Sequence, residues 1–323
     1  MNNIINKLAV VDIGEFDEVP GPFCMSYGFK LNTVVSSIKA VGLINRPCVR
    51  RNREGHMEII TGYRRVLALK TLDMTTVPCI DLTDSGLTDA DMFLLNLNDN
   101  LCTRRFNNVE KGMILNGLLK YSPDEETDYI PLLDITSKWE ADILSGIKDL
   151  HNNAKDSIAQ GSVSIKTLGS LLDMKGIPVN LILNWIIKLK LNTNQQMLFI
   201  EYINDISIRE GKGVNEFLNE ETFVNILTDE DKNIPQKAKR FMDLLRARRL
   251  PFLTKNEKAF ASLISGLDLP KGVRITPPPF FEGPDYLLEI SFRDGVMLKE
   301  KIDALARIKG LPGIKAPWEE EGL

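Results

Sequence analysis

The sequence predicts an α+β protein: a small α/β domain over 1–121, a mainly helical domain over 122–267, and a small strand–strand–helix segment over 268–323. Three observations lead there. Strand-like and helix-like patterns alternate up to Tyr121. Helical periodicity then dominates. It breaks near Pro277-Pro278-Pro279, where two strand signals flank a loop. A chain of 323 residues agrees with two or three domains at about 100–200 residues each.

In the first segment, LAVVDI (8–13) reads as a strand. Asn32-Thr33 open a helix-like run that Gly42 can end as a C-cap. PCVRR (47–51) and MEIIT (57–61) read as strands joined by the turn Asn52-Arg53-Glu54-Gly55. After Gly62, Val66, Leu69 and Leu72 recur at helical spacing. TVPCIDL (76–82) is another strand. The run 87–101 is a helix with Thr88 as N-cap and Asp91 three residues on, and Asn107 or Asn108 caps the next helix. Pro123-Asp124-Glu125-Glu126 reads as a solvated acidic stretch. Beyond it, helical patterns separated by Gly, Pro and Asn run to about residue 267. RIT (274–276) and YLLEISF (286–292) read as strands, and 296–308 as a last helix.

Hydrophobic residues make up 43% and charged residues 26%, as in a globular protein with ordinary cores. No apolar run approaches the roughly 20 residues of a membrane span. The first 18 residues lack the pattern of a signal peptide, so the expected location is the cytoplasm. Cys24, Cys48, Cys79 and Cys102 form no CxxC pair, and Cys48 and Cys79 lie in strand-like runs that suit buried thiols. His56 and His151 are isolated. The net charge of −4 is unlike that of a sequence-independent DNA coater, so any DNA contact must come from local patches.

Chemistry concentrates in three pieces: Ser37 to Pro47, Thr61 to Ala68, and Asp99 to Glu110. In the second, a strand ends and a helix begins at Gly62. A helix N-terminus offers unpaired N–H groups and a partial positive charge, and glycine lets a ligand approach them. Arg64 and Arg65 add two cations where the helix dipole disfavours them, which a bound polyphosphate would compensate. Taken alone, the turn is equally a solvated face. In the third piece, Asp99 and Asn100 present oxygens of the kind Mg²⁺ prefers, with Arg104 and Arg105 just beyond. Taken alone, it is equally a capped connection between helices.

In order and separation these pieces resemble the N-terminal domain of the ParB family, within the ParB/sulfiredoxin-like superfamily. The first is similar to the family's S-I-x-x-x-G-[IL]-[LI]-Q-P segment, the second to its G-E-R-R-x-x-A box, and the third to its E-N-x-x-R-x-x-x-N-x-x-E box through Asp99, Asn100, Asn107 and Glu110. The likeness is strong over 31–112 and looser to about residue 210. It implies a CTP-binding domain in a nucleotide-regulated, DNA-associated protein of partitioning or transcription-regulator type. Gly42, Gly62, Arg64, Arg65 and Arg104 would hold the nucleotide, and Asp99 and Asn100 would hold Mg²⁺. Asn45 stands where the family's glutamine assists slow hydrolysis. The implied partners are DNA, a ParA-type ATPase and a second copy of the chain, without a membrane, at the nucleoid.

The chain departs from the family at Tyr63 (usually Glu), Asn45 (usually Gln), Thr103 (usually Arg) and Asp99 (usually Glu), which weighs against turnover more than against binding. The segment 121–150 is acidic and shows no basic helix-turn-helix pattern. Residues 162–185 imitate one, but their apolar positions read as core. Lys237, Lys239, Arg240, Arg246, Arg248 and Arg249 share a basic helix that offers phosphate contacts or, equally, a solvated face. Phe280-Phe281 reads as core or interface. Two other readings remain: a nuclease or weak CTPase on the same fold, and an interaction scaffold that has lost its ligand. A sulfiredoxin-type enzyme would need a cysteine at the turn, where Tyr63 and Arg64 stand.

Overall fold

The computed structural model describes residues 7–16, 19–174, 176–283 and 285–315. Residues 1–6 and 17–18, part of the stretch tested above for a signal peptide, and 316–323 lie outside them. The chain divides into two compact units, 1–200 and 201–323.

The first unit opens on a four-stranded sheet of β1 (Lys7–Asp12), β2 (Cys48–Arg51), β3 (Met57–Thr61) and β4 (Thr76–Asp81), in the order β1-β4-β2-β3. β4 runs antiparallel to β1, with Val11 opposite Val77, and parallel to β2, with Cys48 opposite Ile80. Pro78 sits in this inner strand without cost. The β2 ladder engages only Ile80 and Asp81, so no β2 partner waits at Pro78 for a missing N–H. Period-two alternation selects the buried face: Val11, Val49, Met57, Val77 and Cys79 pack with Phe16, Val66 and Leu69, the last two from α2 (Tyr63–Thr71). α1 (Asn32–Val41) adds Ile38 to that layer and ends at Gly42, whose N–H bonds Ile38 O.

α3 (Asp89–Leu101) and α4 (Asn108–Tyr121) complete the α/β part. Both begin with reciprocal capping boxes, Thr88 with Asp91 and Asn107 with Glu110. The acidic stretch 123–126 leads into α5 (Glu126–Leu132), a helix not singled out among the helical patterns that follow it. Pro131, a helix breaker on paper, falls in its last turn, where the Leu133 N–H closes onto Tyr129 O and Ile130 O. α6 (Lys138–Gly146) follows, carrying one lysine against Glu140 and Asp142, so a basic reading helix is absent there. α7 (Asn152–Ala159), α8 (Ile165–Leu172) and α9 (Val179–Leu189) build a helical core. Leu168, Leu171, Ile182, Leu183 and Ile186 are buried in it, so the apolar positions of 162–185 are core, as their spacing predicts.

α10 (Thr193–Glu210) spans the boundary between the units. The second unit holds α11 (Val214–Leu218), α12 (Glu221–Thr228), α13 (Ile234–Arg249) and α14 (Pro251–Ser265). It closes with an antiparallel pair, β5 (Val273–Thr276) and β6 (Leu287–Ile290), and α15 (Gly295–Ala306). The expected strand 286–292 is shorter than predicted, because only four residues find partners on β5. Phe281 packs edge-on to Phe260, whereas Phe280 is exposed.

Candidate functional site

The strand β3 delivers the chain into Gly62, whose φ of 88° lies in the left-handed region. A Cβ there would also lie 2.8 Å from the Pro47 Cβ, so backbone conformation and packing both demand glycine. Gly62 gives α2 no side-chain cap, unlike Thr88 and Asn107 for α3 and α4. The α2 N-terminus therefore stays open on the side where α3 and the loop after it bring their polar groups.

A pocket of about 220 Å³ lies at that end of α2. Gly62, Arg64, Arg65, Asp99, Asn100 and Arg104 all line it, so six of the sequence-predicted site residues converge. The loop containing Cys24, Met25 and Ser26 forms another wall. Asn45 is exposed and lines a neighbouring pocket that Arg65 and Asp99 also line, and its carbonyl accepts from Arg65 Nη1 at 2.9 Å. Gly42 ends α1 and lines neither pocket.

The three guanidiniums are fixed by their partners. Arg65 donates to Asp99 Oδ2 at 3.2 Å. Arg64 donates to Glu110 Oε1 at 2.6 Å and to Ser26 Oγ at 3.2 Å, and lies over the Phe29 ring. Arg104 donates to Glu110 Oε2 at 2.7 Å, Asn100 Oδ1 at 2.7 Å and Met25 O at 3.0 Å. Burial, and then the adjacent Arg104 charge, push the Arg64 guanidinium below its usual value. Two cations crowded at one pocket wall are what an incoming polyanion would relieve.

Glu110 was missed as a site residue. Its side chain is only 2% exposed, and its carboxylate also accepts from the N–H groups of Tyr27 and Asn107. The signal was present in the sequence as the N3 position of the Asn107 capping box, but the box reads as helix capping and does not reveal that two arginines share the same carboxylate. Asn96 was missed for a similar reason: a buried amide mid-helix, it bonds Phe23 O at 2.6 Å and pins the loop from below.

The metal reading divides. Asp99 is partly exposed and lines the pocket, as a Mg²⁺ ligand must. Asn100 is engaged on both sides, donating to Asn96 and accepting from Arg104. Among the described residues no group of three His, Cys, Asp or Glu side chains is placed to hold a metal. Such a donor set suits Mg²⁺ arriving with phosphate oxygens rather than a protein cage. His56 and His151 are both exposed. Cys24 faces the pocket with its thiol pushed up by burial, the opposite of what a thiolate nucleophile needs. Cys79 is buried as expected, whereas Cys48 is half-buried and borders the neighbouring pocket.

The basic helix α13 looks inward. Arg248 grips Glu210 and Glu220 with four bonds of 2.5–2.9 Å, Arg246 pairs doubly with Glu257, and Arg249 meets Glu201 and Asp205 at 2.7 Å. Arg240 holds Asp229, and Lys237 donates to Leu227 O. Lys239 is exposed. Most of the positive charge on this helix is thus matched within its own unit. Among the described residues, no helix is long and apolar enough to cross a membrane.

Comparisons with known proteins agree with the sequence motifs. Residues 25–100 match the family model of the ParB N-terminal domain. A nucleoid occlusion protein of Lysinibacillus sphaericus (strain C3-41) is 26% identical over 212 residues, which cover 65% of this chain and 63% of that protein. The match thus spans just under two thirds of the relative's length. Among solved structures, the C-terminally truncated ParB of Caulobacter crescentus complexed with CTP-gamma-S aligns at 16% identity and a TM-score of 0.27, covering 56% of this chain and 99% of that one. A Pnob8-like ParB-N domain aligns at 15% identity and a TM-score of 0.37, covering 76% and 99%. The segment around the Gly62 turn thus matches a ParB-type N-terminal domain over residues 25–100.

Proposed function

We propose that this chain is a ParB-like, nucleotide-regulated, DNA-associated protein that binds CTP with Mg²⁺ at the Gly62 turn. The observation that carries the reading is the convergence of the uncapped α2 N-terminus with Arg64, Arg65 and Arg104 on one pocket. Backbone N–H groups and three guanidiniums are the donor set a triphosphate selects. Asp99 would supply the protein ligand to a Mg²⁺ bridging phosphate oxygens. The choice of CTP rests on the motif resemblance and the ParB family match. The nucleoid occlusion relative supports a role at the nucleoid, and the motif resemblance implies DNA, a ParA-type ATPase and a second copy of the chain as partners. The proposal is of binding rather than turnover, since the chain departs from the family's motifs at Asn45, Tyr63, Asp99 and Thr103.

Calorimetric titration of the intact protein with CTP and Mg²⁺ tests it. Saturable binding is expected, and Arg64→Ala or Arg104→Ala should weaken it about tenfold or more, the worth of one charge-assisted contact. No binding of CTP or any other nucleoside triphosphate would sink the proposal.

A second reading is favoured by one observation: all three guanidiniums already hold internal partners. On that reading the chain is an interaction scaffold that keeps the fold without the ligand. A melting temperature unmoved by every nucleoside triphosphate would select it.

A further inference from the structure

The arginines that face the pocket also hold down one of its walls. Arg64 and Arg104 donate to Ser26 Oγ, Arg104 donates to Met25 O, and Glu110, which both arginines grip, accepts the Tyr27 N–H at 3.0 Å. Asn107 adds a bond to Tyr27 O at 2.9 Å. The same short segment then leaves the pocket and docks on α7. The Tyr27 hydroxyl donates to Asp156 Oδ1 at 2.9 Å. Gly28, at φ 61°, approaches so closely that a Cβ would stand 2.9 Å from the Ala159 Cβ. Pocket-lining residues and helix-docking residues are thus consecutive: Met25 and Ser26, then Tyr27 and Gly28.

We infer that segment 24–28 is a strap linking occupancy of the pocket to the docking of this segment on α7. The inference rests on the polyphosphate reading of the pocket. A polyanion and the strap compete for the same N–H donors of Arg64 and Arg104. Arg104 already commits N–H groups to Asn100, Glu110, Met25 and Ser26, so bonds it turns toward phosphate are drawn from those that hold the strap. Binding therefore loosens the strap, and by reciprocity loosening the strap favours binding. Helix α7, which contributes Ala154 and Ile158 to the helical core, is the element that senses the change.

The reciprocal arm gives the test. Tyr27→Phe removes the bond to Asp156, and Asp156→Ala removes it from the other side. Neither residue lines the pocket. Gly28→Ala pushes the strap off Ala159 by a different route. Each variant is titrated with Mg²⁺–CTP beside the wild type, and hydrogen exchange over 152–160 is followed with and without the nucleotide. The variants should bind about two- to tenfold more tightly, the range spanned by one net hydrogen bond. Exchange over 152–160 in the wild type should rise on binding. If the wild type binds and the variants bind equally or more weakly, the strap is overturned while the nucleotide reading stands. If the wild type binds no nucleoside triphosphate, the nucleotide reading falls and the strap falls with it.

Discussion

Glu110 shows how one side chain can organise a site it does not itself line. A buried carboxylate is tolerated only when paired and hydrogen-bonded, and here two guanidiniums and two backbone N–H groups saturate both oxygens. Removing the charge while keeping the shape should be costly. Glu110→Gln should destabilise the fold by about 1–3 kcal/mol, because a neutral amide cannot serve four donors and leaves a guanidinium short of a partner. Thermal unfolding should show a Tm lower by about 3–10 °C. An unchanged Tm would mean that Arg64 and Arg104 do not depend on this carboxylate. The residue types of the site were legible in the sequence: Gly62, Arg64, Arg65, Asp99 and Arg104 stood in recognisable order and do meet in one pocket. Their partners were not legible, because Glu110, Ser26 and Asn96 are common capping or polar residues until the loop folds over α2. Gly42 and Asn45 were drawn in by the motif, and the structure leaves them outside the pocket.

At the scale of elements, legibility followed punctuation. The N-caps Thr88 and Asn107 and the C-cap Gly42 mark helix ends whose bond patterns are local, so three helices of the first segment begin or end where their spacing predicts. α5 was hidden by Pro131, and β6 was overextended because apolar alternation continues past its last paired residue. α13 was read for its cations, yet their partners lie on α10 and α14 and just outside the two ends of α12. The Arg248 bonds to Glu210 hold that carboxyl at about 2, down from its usual 4.5. A carboxyl depressed in the folded state adds stability that is fully present above pH 4.5 and lost as pH falls through about 2. Arg248→Ala should therefore destabilise the second unit near neutral pH by roughly 1–3 kcal/mol. The gap between variant and wild type should narrow as pH drops across that window. Urea titrations at several pH values would measure it, and a gap independent of pH would show that Arg248 acts through packing on Phe217 and Phe223 instead of through charge.

At the scale of the molecule, function and charge are distributed unevenly. Every residue of the Gly62 pocket falls between Gly21 and Arg104, and the strap ends on α7, so the whole proposed device lies in the unit spanning 1–200. The second unit carries the matched ion pairs of α13. Such a division predicts that binding survives removal of the second unit, provided the cut respects local structure. Ile200 is inside α10, and severing a helix there would leave carbonyls uncapped and Phe199 and Ile203 on opposite sides of the break. Gly211, at φ 64°, ends that helix and offers a natural stop. A fragment ending at Lys212 should keep helical circular dichroism and bind Mg²⁺–CTP within about threefold of the intact chain, a difference under 1 kcal/mol. Calorimetry on both proteins measures this directly. A folded fragment with affinity reduced tenfold or more would show that residues beyond Lys212 take part in nucleotide binding, and the assignment of the site to the first unit would have to be abandoned.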